Sequence, residues 1–261
     1  MYHTIIKTIS IITIFILFSF SNLFAQKESS KTELINIAAK QRMLSQCIAK
    51  DYLYIQNNFA LSKTAKELQS SLKIFFESHK VLVHSIHNKK IQNILKIVEI
   101  NSNDFNITMH QTFTLENAQV ILDLSEAMLE GSQYVVESLK KSIKVEESKI
   151  IEIAGKERML AQRIAKFYIA YQIGIKDENI VKSIKSTVLE FHKNLDLLLN
   201  NRNNTPLIKK KLNEVNKLWK IVDKFYNDIE KGGLPLIVFH TTDKITQKMN
   251  EITQLYLSIH K

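Results

Sequence analysis

Two arginines on a repeated segment are the residues of this sequence best suited to chemistry. Arg42 lies in INIAAKQRMLSQCIAK (residues 35–50) and Arg158 in IEIAGKERMLAQRIAK (residues 151–166), and eleven of the sixteen positions are identical. Three of the four arginines lie in these two copies, although the chain has 32 lysines. A guanidinium offers a planar fork of N–H donors that fits a carboxylate or a small flat oxyanion. The repeated arginine therefore indicates a structural ion pair or an anion-binding site.

The residues that would share a helix face with each arginine are small or polar. Residues three and four positions apart lie on one face of a helix. That face carries Ala38, Ala39, Ser45, Gln46 and Ala49 in the first copy, and Ala154, Gly155, Ala161, Gln162 and Ala165 in the second. Because small residues let two helices approach closely, we expect both arginines at a helix–helix seam. A desolvated guanidinium needs acceptors there, since an unpaired buried charge is unfavourable.

Two arrangements would satisfy Arg42 and Arg158. In the first, an acidic side chain from a neighbouring helix pairs with each arginine, and no ligand is needed. In the second, the two arginines meet across a two-fold or pseudo-two-fold axis, and an anion between them offsets their repulsion. The residues alone leave both arrangements open.

The elements that must position these residues are helices. The chain has five glycines and two prolines in 261 residues, so helix breakers are rare. Apolar residues recur at three- and four-residue spacing, which is typical of helices and not of strands. An example is the series Leu68, Leu72, Phe75, His79, Leu82 and Ile86. The sequence predicts an all-α protein of two tandem antiparallel four-helix-bundle units, each opened by one copy of the repeat.

Polar clusters with Gly or Pro predict where the helices end. The predicted breaks are residues 56–62, 101–112 (before a fourth helix near Thr114), 174–179, 200–206 and 231–235. Pro206 and Pro235 are predicted in first helical turns, and Ser30 with Glu33 is predicted to form a capping box. Residues 116–171 are predicted either as one continuous helix or as two helices with a bend near Ser148.

The N-terminus has the pattern of a secretory signal peptide. Lys7 precedes an apolar run, and Ala25 is the expected last residue before cleavage. An uncleaved inner-membrane anchor over residues 5–24 is the alternative. Either reading predicts a periplasmic location for the remainder. We expect a first helical domain at residues 26–147 and a second at 148–261.

The charge and the single cysteine restrict the possible partners and covalent bonds. The formal net charge is +10, but the lysines are scattered and no basic run is interleaved with aromatic residues. We therefore expect no nucleic-acid partner. Cys47 is the only cysteine, so no disulfide can form within the chain. It is expected to act as a small apolar helix residue.

No enzyme motif is recognisable in the sequence. It lacks the patterns of a nucleophile elbow, a zinc protease helix and a phosphate-binding loop. His84 and His87 have a helical spacing that could contact a metal, but two histidines do not close a site. We predict a non-enzymatic protein with no metal and no cofactor. Trp219 is expected to be buried in the core.

The two repeated segments together resemble one signature helix. Both segments resemble the signature helix of the type IV pili methyl-accepting chemotaxis transducer N-terminal (PilJ-type) family. That family is in turn similar to the sensor domains of NarX-type nitrate-responsive histidine kinases. The resemblance covers sixteen residues twice, and the flanking helices agree in plan. It implies a periplasmic helical-bundle sensor domain, here in two tandem copies.

The resemblance also implies roles for particular residues. In the nitrate sensors the arginine before the methionine binds the anion at a dimer seam, and that position is Arg42 and Arg158 here. The candidate ligand-binding set also includes Gln46, Gln162, Gly155 and Arg163. The first copy departs from this pattern, because Ala39 stands at the position of Gly155 and Cys47 at the position of Arg163.

We therefore expect an exported sensor-like module that binds a small anion such as nitrate or nitrite. We expect no second transmembrane helix, methyl-accepting coiled coil or kinase after Lys261, and we therefore expect the module to act through a membrane sensor or chemoreceptor. The seam would form in a homodimer or within one chain as a pseudo-dimer. The alternative function is a structural or adaptor protein that docks on a membrane receptor or another envelope partner.

Overall fold

Eight α-helices and one short 3-10 helix form the regular structure of the computed structural model, which describes residues 31–59, 61–141 and 147–259. The helices are α1 (Lys31–Gln56), α2 (Leu61–Ser85), α3 (Lys89–Thr108), α4 (Leu115–Lys140), α5 (Glu147–Gln172), α6 (Glu178–Leu199), α7 (Pro206–Asn227), the 3-10 helix (Ile229–Lys231) and α8 (Pro235–Ile259). Within these ranges there is no strand, which confirms the all-α prediction.

The two halves have the same packing plan. In the first half α1 packs against α2 and α4, and α3 packs against α4. In the second half α5 packs against α6 and α8, and α7 packs against α8. The repeat helices α1 and α5 also pack extensively against each other, so they form a central seam within the compact unit that begins at Lys31. The division into domains at residues 147 and 148 remains a prediction.

Helices α1 and α5 run parallel. Arg42, in the first part of α1, interacts electrostatically with Glu152 near the start of α5. Tyr54, at the end of α1, interacts with Tyr168 near the end of α5. Equivalent residues of the two copies therefore lie at similar heights along the seam, as a pseudo-two-fold axis between the helices requires.

Aromatic residues fill matching places in the two halves. Phe75 of α2 and Phe191 of α6 are 116 residues apart in the sequence, and both are fully buried. Trp219 of α7 is also buried and stacks on Phe191, with ring centroids 4.0 Å apart and an interplanar angle of 24°. The predicted core position of Trp219 is therefore confirmed.

Most predicted helix limits agree with the structure. Helix α1 ends at Gln56, Thr114 is the N-cap of α4, and Pro206 and Pro235 begin α7 and α8. The predicted break at 101–112 is wrong in its first part, because α3 continues to Thr108. Asn103 and Asp104 lie on the exposed face, while Ser102, Phe105 and Thr108 continue the buried stripe of the helix.

The alternative of one helix over residues 116–171 is wrong. Helix α4 ends at Lys140, and α5 begins at Glu147. Lys140 Nζ donates to Glu152 Oε2, and twelve residues would separate these positions by about 18 Å along a straight helix. Residues 116–171 therefore do not form one straight helix.

Two of the sequence predictions lie outside the described residues. They are the signal peptide or anchor at the N-terminus and the cap at Ser30. Among residues 31–59, 61–141 and 147–259, no helix is both long and apolar enough to span a membrane.

Asn88 caps the start of α3 and offers a test of the local fold. Its side chain accepts hydrogen bonds from the backbone N–H groups of Lys90 at 3.0 Å and Ile91 at 3.2 Å. Asn88→Ala should lower the free energy of unfolding by about 1 kcal/mol in urea titrations, because these donors lose their acceptor. Asn103→Ala, on the exposed face of the same helix, should cause no loss. Equal losses for both variants would contradict the capping role.

Candidate functional site

Arg42 is buried in the seam with part of its guanidinium unsatisfied. The side chain is fully buried, and its Nη1 donates to Gln133 Oε1 of α4. Its Nε and Nη2 have no hydrogen-bond partner among the described residues. A buried guanidinium with free donors requires acceptors, and the described residues supply only one.

Arg158 repeats this arrangement in the second half. It is 1% exposed, and its Nη1 donates to Asn250 Oδ1 of α8 at 2.7 Å. Its Nε makes a longer contact of 3.4 Å with the Gly155 carbonyl oxygen, and its Nη2 has no partner within the described chain. Asn250 is exposed, so the Nη1 atom of Arg158 that donates to it lies close to solvent.

The two guanidinium groups are close enough to influence each other. Burial and, to a lesser extent, the positive charge of Arg42 together lower the pKa of Arg158 to about 10. Burial also lowers the pKa of Arg42 to about 10, against the opposing effect of Glu152 and two other carboxylates. The two predicted arginines therefore lie on the seam within electrostatic range of each other.

No carboxylate lies within ion-pair distance of either arginine in the described part of the chain. The three acids that act on Arg42 from a distance have contacts of their own. Glu152 contacts Lys140, Glu190 contacts Lys156, and Glu137 accepts from Gln133 Nε2 at 2.6 Å. The first arrangement considered above, with one acidic partner for each arginine, is absent from these residues.

Gly155 leaves space for the Arg158 guanidinium because it has no side chain. A Cβ atom built on Gly155 would lie 3.3 Å from Arg158 Nη2, which is the nitrogen without a partner. A larger residue would therefore press against that nitrogen. The first copy has Ala39 at this position, so the surroundings of the two arginines are not identical.

The predicted glutamines lie one turn further along the seam and face other partners. Gln46 Nε2 donates to the Ser125 carbonyl oxygen of α4 at 3.0 Å. Gln162 Nε2 donates to Thr246 Oγ1 of α8 at 2.8 Å and to Asp243 Oδ1 at 3.2 Å. Neither amide is hydrogen-bonded to an arginine among the described residues. Their part in an anion site remains a prediction.

Each nitrogen of the Arg163 guanidinium has a protein partner. Its Nη2 lies 2.5 Å from Glu126 Oε2 of α4, and its Nε lies 3.1 Å from the same oxygen. Its Nη1 donates to Thr187 Oγ1 of α6 at 3.1 Å. These contacts make Arg163 a bridge between the two halves, and its predicted ligand-binding role remains a prediction.

Sequence reasoning missed the lysines that close each repeat copy. Lys50 reaches across the seam to Asp243 of α8 at 2.5 Å, and it also contacts Asp51 at 3.2 Å. Lys166 reaches across in the opposite direction to Glu126 of α4 at 2.7 Å. Both lysines are buried. The signal was present, because the same lysine ends both copies, but its partner lies far away in the sequence.

The comparisons with known proteins bear on the second half of the chain. Residues 144–252 match the model of the family described as type IV pili methyl-accepting chemotaxis transducer N-term. No curated protein and no solved structure matches the chain. The matched range covers the second repeat copy and α5 to α7 with most of α8, while the tandem first domain remains a prediction. Residues 144–252 are therefore similar to the N-terminal domain of type IV pili methyl-accepting chemotaxis transducers, which is the domain of a sensor and signalling family.

Proposed function

We propose that this protein is an exported, sensor-like module that binds a small anion at the seam between α1 and α5. One observation carries the proposal. Two buried arginines lie close enough to repel each other, and three of their nitrogen atoms lack a hydrogen-bond partner in the described residues. An anion between them would accept these hydrogen bonds and offset the repulsion.

The donors favour a small planar oxyanion. Nε and Nη2 of Arg42 form one edge of a guanidinium, which binds two oxygen atoms of one anion side by side. Nη2 of Arg158 supplies a third donor from the opposite helix. Nitrate and nitrite are small planar oxyanions of this kind. Because both helices belong to one chain, we propose an intramolecular site in place of a homodimer seam.

The proposed output passes through a membrane protein. PilJ-type domains are associated with membrane chemoreceptor signalling, which supports a chemoreceptor or membrane sensor as the partner. The anion would change the packing of α1 against α5, since it lies between these helices. That change is the signal that a receptor would read.

Thermal unfolding with added anions tests the site. Nitrate or nitrite should raise the Tm of the wild type above its value in chloride of equal ionic strength, because a ligand that binds the folded state stabilises it. Arg158→Gln should abolish this difference, since it removes the charge and donors on one side. Arg42→Gln should do the same from the other side.

Arg202→Gln is the matched control, because Arg202 is exposed and lies outside both repeat copies. This variant should respond to nitrate as the wild type does. The proposal is wrong if nitrate, nitrite and other small oxyanions leave the wild-type Tm unchanged. It is also wrong if Arg158→Gln and Arg42→Gln respond like the control.

A further inference from the structure

The two copies of the repeat differ most at the position held by Arg163 in the second copy and Cys47 in the first. In the second half, the Arg163 guanidinium lies between the Glu126 carboxylate and the Thr187 hydroxyl. In the first half, Cys47 Sγ lies 3.8 Å from the hydroxyl oxygen of Ser71. Ser71 and Thr187 stand 116 residues apart, like the repeat copies, so they are equivalent.

Asp243 completes the same arrangement around Cys47. It projects from α8 and binds Lys50, as Glu126 projects from α4 and binds Lys166. The first half thus keeps the carboxylate, the hydroxyl and the lysine of this arrangement. It lacks the guanidinium, because a cysteine side chain ends at its thiol.

A cavity of about 720 Å³ lies between the two halves at this place. Cys47 and Ser71 line it from α1 and α2, and Gln162 and Asp243 line it from α5 and α8. Glu67 adds a second carboxyl group to the lining. The cavity therefore lies beside Cys47, between the carboxylate and hydroxyl positions that a guanidinium bridges in the second half.

The charges around the cavity favour a cation. Lys50 is shared by two carboxylates, Asp51 and Asp243. In the second half, one carboxylate is shared by two cations, because Glu126 binds both Lys166 and Arg163. The first half has thus exchanged one positive charge for one negative charge.

Asp51 is the residue responsible for the additional negative charge. Its equivalent in the second copy is Phe167, which carries no charge. Burial raises the pKa of Asp51 to about 6, although Lys50 beside it acts in the opposite direction. Burial also raises the pKa of the Cys47 thiol well above its usual range, so the thiol stays neutral and adds no charge.

Gln162 points to a ligand independently of these charges. Its side chain is 2% exposed and lines the cavity, and its Oε1 has no hydrogen-bond partner among the described residues. An amide oxygen is an acceptor, so it suits an N–H donor and not an anion. The rim also carries Lys244 and His240 of α8. Lys244 is exposed, so its charge is screened by solvent.

We propose that the cavity beside Cys47 binds a small organic cation with a guanidinium or primary ammonium group. The cationic group takes the place that the Arg163 guanidinium holds in the second half, between Asp243 and Ser71. It donates to the Asp243 carboxylate, the Ser71 hydroxyl and Gln162 Oε1. Neither Arg42 nor Arg158 is among the described residues that line this cavity, so its occupation can be tested separately from the proposed anion site.

Agmatine, which carries both a guanidinium and an ammonium group, is the probe. It should raise the Tm of the wild type and bind in isothermal titration calorimetry. Methylurea has a similar planar head without charge, and tetramethylammonium has the charge without N–H donors, so neither should have this effect. The proposal is overturned if agmatine stabilises the protein no more than these two compounds.

Cys47→Arg tests the position of the bound cation. This variant restores the residue of the second copy and should weaken agmatine binding at least tenfold, because its own guanidinium fills the cavity. Its response to nitrate should stay like that of the wild type, which separates this site from the anion site. Cys47→Ser keeps the cavity and should bind agmatine as the wild type does.

Ser71→Phe gives a second test that does not depend on the folding of Cys47→Arg. Ser71 is partly exposed on α2, so a larger side chain there fills the groove without entering the core. This variant should also lose agmatine binding at least tenfold. Wild-type agmatine affinity in Ser71→Phe, or in a folded Cys47→Arg, would place the cation elsewhere and overturn the proposal.

Discussion

Replacing Lys50 with methionine should lower the free energy of unfolding by about 3 kcal/mol in urea titrations at pH 7. Lys50 is buried, and its Nζ contacts Asp243 at 2.5 Å and Asp51 at 3.2 Å. Methionine has a similar length but no charge. Asp51 and Asp243 would then lose this cation, and an uncompensated charge on the fully buried Asp51 side chain is strongly destabilising.

Lys248→Met provides the matched control for Lys50→Met. Lys248 forms an ion pair of 2.5 Å with Glu214, but both side chains are about one-third exposed. Solvent screens such a pair, so its loss should cost less than about 1 kcal/mol. Lys50 would not stabilise the seam by charge if both variants lost the same free energy.

Lys166→Met should destabilise the protein less than Lys50→Met. Lys166 is the equivalent residue of the second copy, and its partner Glu126 is also held by Arg163. The carboxylate therefore keeps one cation after the substitution. A comparison of the two variants measures how far the copies have diverged in their electrostatics.

Glu157→Gln should stabilise the folded protein by about 2 kcal/mol near pH 7. Glu157 is fully buried in α5, and burial raises its pKa well above the ordinary value of 4.5. Glu190 acts in the same direction, while Asn194 and Lys156 oppose it. Folding at neutral pH therefore requires this carboxyl group to take up a proton or to bury its charge.

The pH dependence of Glu157→Gln identifies the cause. A group with a raised folded pKa contributes its full stability below its unfolded pKa, and this contribution is lost as pH rises toward the folded value. The wild type should thus approach the variant in stability as pH falls to about 4.5, and the difference should grow up to neutral pH. The first copy has Gln41 at this position, and Gln41 is fully buried as well.

Glu116→Gln is a control with the opposite sign. Glu116 lies in the first turn of α4, where hydrogen bonds from the helix start lower its pKa. Its contribution is present above the unfolded pKa, so the glutamine variant should be slightly less stable at neutral pH. A stability difference for Glu157→Gln that is constant from pH 4.5 to 8 would contradict the role of its ionisation.

The seam position of the arginines was predictable because it depends on local spacing. Small residues at three- and four-residue intervals around Arg42 and Arg158 define a face that only another helix can cover. The unsatisfied donors were not predictable, since they depend on Gln133 and Asn250 from helices far along the chain. Sequence spacing cannot show whether a glutamate also reaches a guanidinium.

Helix limits were predictable where a capping residue or a proline decides them. Thr114, Pro206 and Pro235 illustrate this. The polar run after Asn101 was misleading, because composition was weighed above periodicity. Phe105 continues the buried spacing of α3 inside that run, and this signal could have corrected the limit.

The contacts of Lys50, Asp51 and Cys47 were beyond sequence reasoning for a different reason. Each residue looks ordinary within its own helix. Their meaning comes from the comparison with Lys166, Phe167 and Arg163, whose surroundings are known only after both halves are folded. Asp243, the partner across the seam, has no feature in the sequence that connects it with the repeat.

The joining of α1 and α5 in one polypeptide also has an evolutionary consequence. In a seam formed by two identical chains, every substitution appears on both sides at once, and the ligand meets the same residue twice. Here Cys47 and Arg163, or Ala39 and Gly155, change separately. The two sides of the seam can therefore specialise for an asymmetric ligand. Because α1 and α5 are covalently linked, the seam also forms at any protein concentration in the cell.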